Sequence, residues 1–139
     1  MQTTIDIPTR GPGLYEFTSQ DRDIVLGTSV RLGLLTLFVQ HTSCSIVVQE
    51  NADPDVQRDL AEFFGWLAPR ADDPSMSWIR HRAEGPDDMP AHLRAALLPT
   101  SISIPVSGGE PALGTWQGIY LFEHRDALHT RHVAAHVSL

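Results

Sequence analysis

A chain of 139 residues with 42% hydrophobic content holds one domain with its own core and is too short for two. Seventeen acidic residues against ten basic ones, a net charge of -7, exclude the basic stripe that nonspecific nucleic-acid binding needs. All ten basic residues are arginine, which excludes lysine Schiff-base chemistry, and the single cysteine excludes an internal disulfide or a multi-cysteine metal site.

The N-terminus, MQTTIDIPTRGPG, has no signal-peptide apolar core, and no run approaches the ~18 apolar residues of a membrane span. A cytoplasmic protein without membrane contact is expected. Thr3 to Ile7 alternates, Gly11-Pro12-Gly13 is a turn, and Leu14 to Phe17 follows, which predicts an opening hairpin. Thr18 or Ser19 should cap a short helix from about Gln20, with Asp21 and Asp23 near its positive end and Gly27 and Gly33 around its exit. Leu34 to Val39 reads as a strand buried on both faces, with Cys44 to Gln49 as its partner and His41 at the strand end between them.

Asp53-Pro54-Asp55 is a helix start: an N-cap aspartate, proline at the first helical position and a carboxylate in the first turn. Val56, Leu60, Phe63 or Phe64 and Leu67 give that helix one apolar face, and Pro69 ends it. A polar loop from Arg70 to Pro90 follows. Met89 or Asp88 then caps a helix to about Leu98, with Met89, Leu93 and Leu97 toward the core and His92 on the shoulder of that face. Ser101 to Val106, a turn at Ser107-Gly108-Gly109, Ile119 to Glu123 and His132 to Val137 complete a β-rich last third, with Pro105 at an edge or bulge. The fold class is α+β over residues 1–139: one domain, a mixed, mainly antiparallel sheet of about seven strands, and about three helices.

Chemistry concentrates in His41-Thr42-Ser43-Cys44 and in Glu50, Asn51 and Asp53, at the two ends of one apolar run. A strand-end histidine serves as a general base, metal ligand or phosphate contact, or simply closes the strand by hydrogen bonding. Capping explains Asp53 but not Glu50. Cys44 opens an apolar strand, where a free cysteine packs as a small hydrophobe rather than ionising as a nucleophile. His41, His81 and His92 lie on separate elements and could hold a divalent ion, with Asp53, Glu50 or Asp88 as a hard ligand or a supporting carboxylate. Their spacing matches no local metal motif. His124, His129, His132 and His136 read as structural or incidental. Gly114-Thr115-Trp116-Gln117-Gly118 offers either an anion-binding backbone with a stacking indole, or a bulged strand entry with a core tryptophan.

Three segments, HTSCSIVVQENADPDVQRDL, HRAEGPDDMPAHLRAAL and LGTWQGIYLFEHR, together resemble the YjbQ family, also called UPF0047 or the secondary thiamine-phosphate synthase family. The resemblance runs in order over nearly the whole chain. It implies a small α+β fold, a homotrimer, and a weak activity coupling a pyrimidine-methyl diphosphate to a thiazole phosphate with release of pyrophosphate. On that implication His41, Glu50, Asn51, Asp53 and Asp88 are the catalytic candidates. Thr42, Ser43, Arg82, Thr115, Trp116 and Gln117 are the substrate-binding ones, with Arg94 as an alternative phosphate clamp. His41, His81 and His92 would hold a divalent Mg or Zn ion, with no organic cofactor. The alternatives are a phosphometabolite-binding trimer without turnover, or a metal-dependent phosphoester hydrolase. Cys44 stands where the family has a small residue.

Overall fold

The computed structural model describes residues 1–139. Eight strands form two antiparallel sheets. The larger sheet contains β1 (Gln2–Arg10), β8 (Leu128–Ser138), β3 (Leu32–Val39), β5 (Ser101–Ser107) and β6 (Glu110–Pro111), in that spatial order. The smaller contains β2 (Gly13–Glu16), β7 (Gln117–Glu123) and β4 (Cys44–Glu50). Helices α1 (Thr18–Thr28), α2 (Pro54–Leu67) and α3 (Asp88–Leu97) complete the expected α+β class.

The pairing differs from the one the local pattern suggests. The Gly11-Pro12-Gly13 turn does not close a hairpin, because β1 pairs with β8 and β2 with β7. β3 and β4 are likewise not partners: β3 lies between β5 and β8, while β4 pairs with β7. The chain between them crosses from one sheet to the other, and His41 sits on that crossing. LLTLFV is not buried on both faces either. Leu35, Leu37 and Val39 point inward, whereas Leu34 and Phe38 are exposed on the outer face of the larger sheet, which no helix covers.

The core lies between the sheets. Ile5, Ile7, Leu35, Leu37, Val39, Ile104, Val106, Val133 and Val137 from the larger sheet meet Cys44, Ile46, Ile119 and Leu121 from the smaller one. Each fully buried branched side chain contributes about 1.5–3 kcal/mol. Gly33 permits the close approach of β8: a Cβ there would stand 2.1 Å from the Ser138 carbonyl oxygen.

Thr18 does not cap α1, because its hydroxyl donates to Glu16 Oε2 at 2.8 Å and accepts from the Ile119 amide at 2.9 Å. The helix runs past Gly27 and ends at Ser29, whose φ of 61° is left-handed. Asp53 caps α2 as its sequence implies, its carboxylate accepting the Asp55 amide at 2.9 Å. Of the expected apolar face of α2, only Phe64 is buried, edge-on against Phe122, and Phe63 and Leu67 are exposed. In α3 Asp88, Ala91 and Ala95 are buried, Met89 and Leu93 pack half-buried against Ala71, Met76 and Ile79, and of the expected apolar face only Leu97 is exposed. The buried side includes a carboxylate.

Candidate metal centre

α3 begins with Asp88 and His92, four residues apart and therefore on one helical face. The loop before the helix supplies His81. Arg82 fixes that loop by donating from Nε to the Ile79 carbonyl, from Nη1 to Ala71 and from Nη2 to Met76, at 2.9, 2.9 and 3.0 Å. Gly85, at φ 100°, provides the left-handed turn into α3. His81 Nε2 lies 2.7 Å from Asp88 Oδ2 and His92 Nε2 lies 3.1 Å from the same oxygen. Two imidazole nitrogens and one carboxylate oxygen thus fall within 4.8 Å of one another.

His92 Nδ1 is 2.9 Å from the Thr42 carbonyl oxygen, which only accepts, so Nδ1 carries a proton. In a neutral ring Nε2 is then a lone pair pointed at Asp88. A lone pair and a carboxylate oxygen at 3.1 Å repel unless a second proton or a cation lies between them. Asp88 is buried, and burial would raise its pKa. The hydrogen bond to His81, followed by the charges of His92 and Arg125, outweighs burial and holds the carboxyl below its ordinary value.

The other Asp88 oxygen is occupied. Arg125 donates from Nη1 to Asp88 Oδ1 at 2.6 Å, from Nε to Asp87 Oδ2 at 2.9 Å and from Nη2 to the Glu84 carbonyl at 3.1 Å. Asp87 therefore precedes α3 without capping it, because its carboxylate is engaged by Arg125 and the Asp126 amide. Arg125 itself follows β7, which ends in the buried Glu123. Glu123 Oε2 accepts the amides of His124 and Arg125 at 3.1 and 3.2 Å, and Oε1 accepts Thr9 Oγ1 at 2.6 Å and Arg131 Nε at 2.7 Å. Arg131 Nη2 bonds Glu123 Oε2 and reaches Ser43 Oγ at 2.9 Å. A buried ion pair thus joins β7, β8 and the crossing before β4, and its position sets where Arg125 and Thr42 stand.

The expected site residues separate into two groups at opposite ends of β4. Ser43 and Thr42 stand at the end where Cys44 faces Glu123; Glu50 is at the other, facing Gln117, and the seven-residue strand spans about 20 Å. Glu50 accepts the Asp53 amide at 3.1 Å, Asp53 caps α2, and Asn51 donates its amide to the Trp116 carbonyl at 3.0 Å. Gln117 closes the turn by accepting the Gly114 amide at 2.7 Å, and Trp116 is exposed rather than in the core. Within one chain, Glu50, Asn51, Asp53, Thr115, Trp116 and Gln117 do not reach the histidine cluster.

His41 is also outside the cluster. Its Nε2 accepts the His132 amide at 2.9 Å and its Nδ1 lies 3.4 Å from Arg131 Nη1, so both ring nitrogens face protein groups. Burial, then the Arg131 charge, lowers its pKa. Arg82 spends its guanidinium on loop carbonyls and is not a free phosphate clamp. Cys44 is fully buried, and burial pushes its thiol up to about 12, which leaves it as packing. The residues that residue-type reasoning passed over are Glu123, Arg125 and Arg131. The signal was present: a glutamate ending the apolar strand of QGIYLFE must find a partner once buried.

The family model described as UPF0047 protein YjbQ-like matches residues 3–138. The UPF0047 protein of Synechocystis sp. is 50% identical over 137 residues, covering 99% of this chain and 90% of its own. YjbQ of Escherichia coli O157:H7 is 42% identical, covering 89% and 87%. Among solved structures, a conserved hypothetical protein of Thermus thermophilus superposes with a TM-score of 0.81 at 34% identity, covering 99% of this chain and 98% of that one. An uncharacterised YjbQ/UPF0047 protein of Clostridium acetobutylicum gives 0.83 at 28%, covering 99% of both. These relatives are proteins of uncharacterised function, which overturns the expectation of thiamine-phosphate synthase activity. Within one chain, the residues expected to share one pyrophosphate site lie at opposite ends of β4. What the matches do establish is descent and architecture: this chain belongs to the YjbQ/UPF0047 family.

Proposed function

We propose that the protein binds a divalent transition metal ion through His81, Asp88 and His92. The observation that carries this is the meeting of two Nε2 atoms on one Asp88 oxygen while His92 Nδ1 donates to the Thr42 carbonyl. That hydrogen bond selects the tautomer whose Nε2 is free to ligate. Two imidazoles and a carboxylate suit zinc or a neighbouring first-row metal. Magnesium, which favours oxygen ligands, fits the donor set poorly.

Arg125 and the Thr42 carbonyl orient the ligands; the half-exposed His81 leaves one side of the cluster open to solvent. Three protein ligands with an open side leave room for water or a small oxygen ligand, and a bound ion would supply Lewis acidity there. The test is metal titration of protein purified without a histidine tag. About one zinc ion should bind per chain, and His92→Ala should lose it. Zinc binding of unchanged affinity in a His81→Ala, His92→Ala double variant would rule the reading out.

Self-association, in the trimer that the family resemblance implies, is part of the same proposal. Its support is the uncovered outer face of the larger sheet, where Leu34 and Phe38 are exposed beside Ser101, Ser103 and Pro105 with no charged side chain among them. Light scattering on the purified chain checks it: a monomer would refute it.

A further inference from the structure

A polar cavity lies between α3 and the chain that follows β7. It measures about 240 Å³, and its walls include Arg94, His124, Arg70, Asp87 and Asp126. Two donors on the lining residues have no partner. Arg94 Nε is buried without a hydrogen bond, and so is His124 Nδ1. His124 is 2% exposed, so open solvent does not satisfy it.

The state of His124 follows from its other nitrogen. Nε2 is 3.0 Å from Ser45 Oγ, and that buried hydroxyl makes no other hydrogen bond. The hydroxyl proton needs an acceptor, and His124 Nε2 is the acceptor within reach, which places the ring proton on Nδ1. Arg94 forms no ion pair. Its guanidinium makes one hydrogen bond, from Nη2 to the Ala68 carbonyl at 3.1 Å. The two carboxylates nearby are already engaged: Asp87 Oδ2 by Arg125 Nε and the Asp126 amide, and Asp126 Oδ2 by Arg70 Nη1 at 2.7 Å. Two buried N–H groups without an acceptor are each costly, and the residues that carry them line one cavity.

We propose that this cavity is a binding site for a small oxyanion, held by Arg94 Nε–H and His124 Nδ1–H with the Arg70 guanidinium at its mouth. An oxygen ligand supplies the acceptor that both donors lack. Phosphate and carboxylate share that chemistry. A volume of about 240 Å³ admits a small anion. The site is independent of the metal reading, since none of His81, Asp88 and His92 lines it.

The test is calorimetric titration of the full-length, chelator-treated protein with inorganic phosphate and, in a second arm, with acetate, which separates a tetrahedral from a planar ligand. Saturable binding of either anion is expected. Arg94→Gln should weaken it by at least roughly tenfold, Arg94→Lys less, and His92→Ala not at all. His124→Gln should weaken it as well, and it stands in for Arg94→Gln should that variant fail to fold. Absence of saturable binding of both anions would overturn the proposal, as would equal affinity in Arg94→Gln or His124→Gln. Phosphate binding abolished by His92→Ala would also overturn it, moving the anion to the histidine cluster. Zinc binding with no anion binding leaves the metal reading intact and removes only this one.

Discussion

His92 Nδ1 donates to the carbonyl oxygen of Thr42 at 2.9 Å, a bond between α3 and the crossing from β3 to β4 that spans 50 residues of chain. It makes a backbone atom of the HTSCS stretch the determinant of which His92 nitrogen is available. The side chains of that stretch do other work: Ser43 and His41 contact Arg131 and support the buried ion pair.

Arg125 touches Asp88 and Asp87 but lies behind the ligand oxygen, so Arg125→Gln should leave three ligands in place and still weaken zinc binding roughly 10–100-fold. Competition titration against a chromophoric chelator measures this. Affinity equal to that of the unaltered protein would show that Arg125 only stabilises the fold.

Glu123 and Arg131 form an ion pair that is almost wholly buried, and Thr9 and two backbone amides complete the carboxylate's hydrogen bonding. Removing one partner strands the other. Glu123→Ala should therefore destabilise the protein by about 3–5 kcal/mol, read from urea unfolding, while an exposed pair such as Arg58–Asp55 should contribute little when broken. A loss below about 1 kcal/mol for Glu123→Ala would contradict the assignment.

Burial pushes the Cys44 thiol up to about 12, and the side chain is inaccessible. Native protein should resist alkylation by iodoacetamide at pH 8 and react once unfolded, with mass spectrometry as the readout. Rapid native labelling would mean that the two sheets open readily at this point.

Asp21 in α1 is fully buried with neither carboxylate oxygen hydrogen-bonded, and burial raises its pKa from 3.8 to about 8. The folded state holds the proton more tightly than the unfolded chain. This contribution to stability is complete below pH 3.8, falls as pH rises, and levels off above about pH 8. Asp21→Asn should flatten that decline and raise stability at pH 7 by more than about 1 kcal/mol. Unfolding free energies of both proteins measured from pH 5 to 9 give the comparison; parallel curves would mean that Asp21 finds a partner.

The sequence by itself determined the elements whose signals are local. Asp53-Pro54 starts α2 because a capping carboxylate and a fixed proline φ act within one turn. Gly108 and Gly109 turn β5 into β6 because only glycine enters their left-handed φ values at no steric cost. Family membership was legible for the same reason, as three motifs in order require no knowledge of pairing. The presence of His81, Asp88 and His92 among the candidates was legible as residue chemistry.

Only the tertiary structure decided which candidates meet. Strand alternation fixes which face a side chain occupies but not which strand lies beside it. β3 and β4 are neighbours in sequence and part into different sheets, which moves His41 from the expected ligand set to the Arg131 contact. β4 pairs without a break along β7 for seven residues, so Glu50 and Ser43 end far apart although both belong to one motif. α3 turns Asp88 inward because Ala91 and Ala95, not Leu97, pack below it, and Arg125 arrives from β7 to neutralise that carboxylate. These are long-range contacts whose energy comes from burial and charge pairing between segments distant in sequence, and no local pattern encodes them.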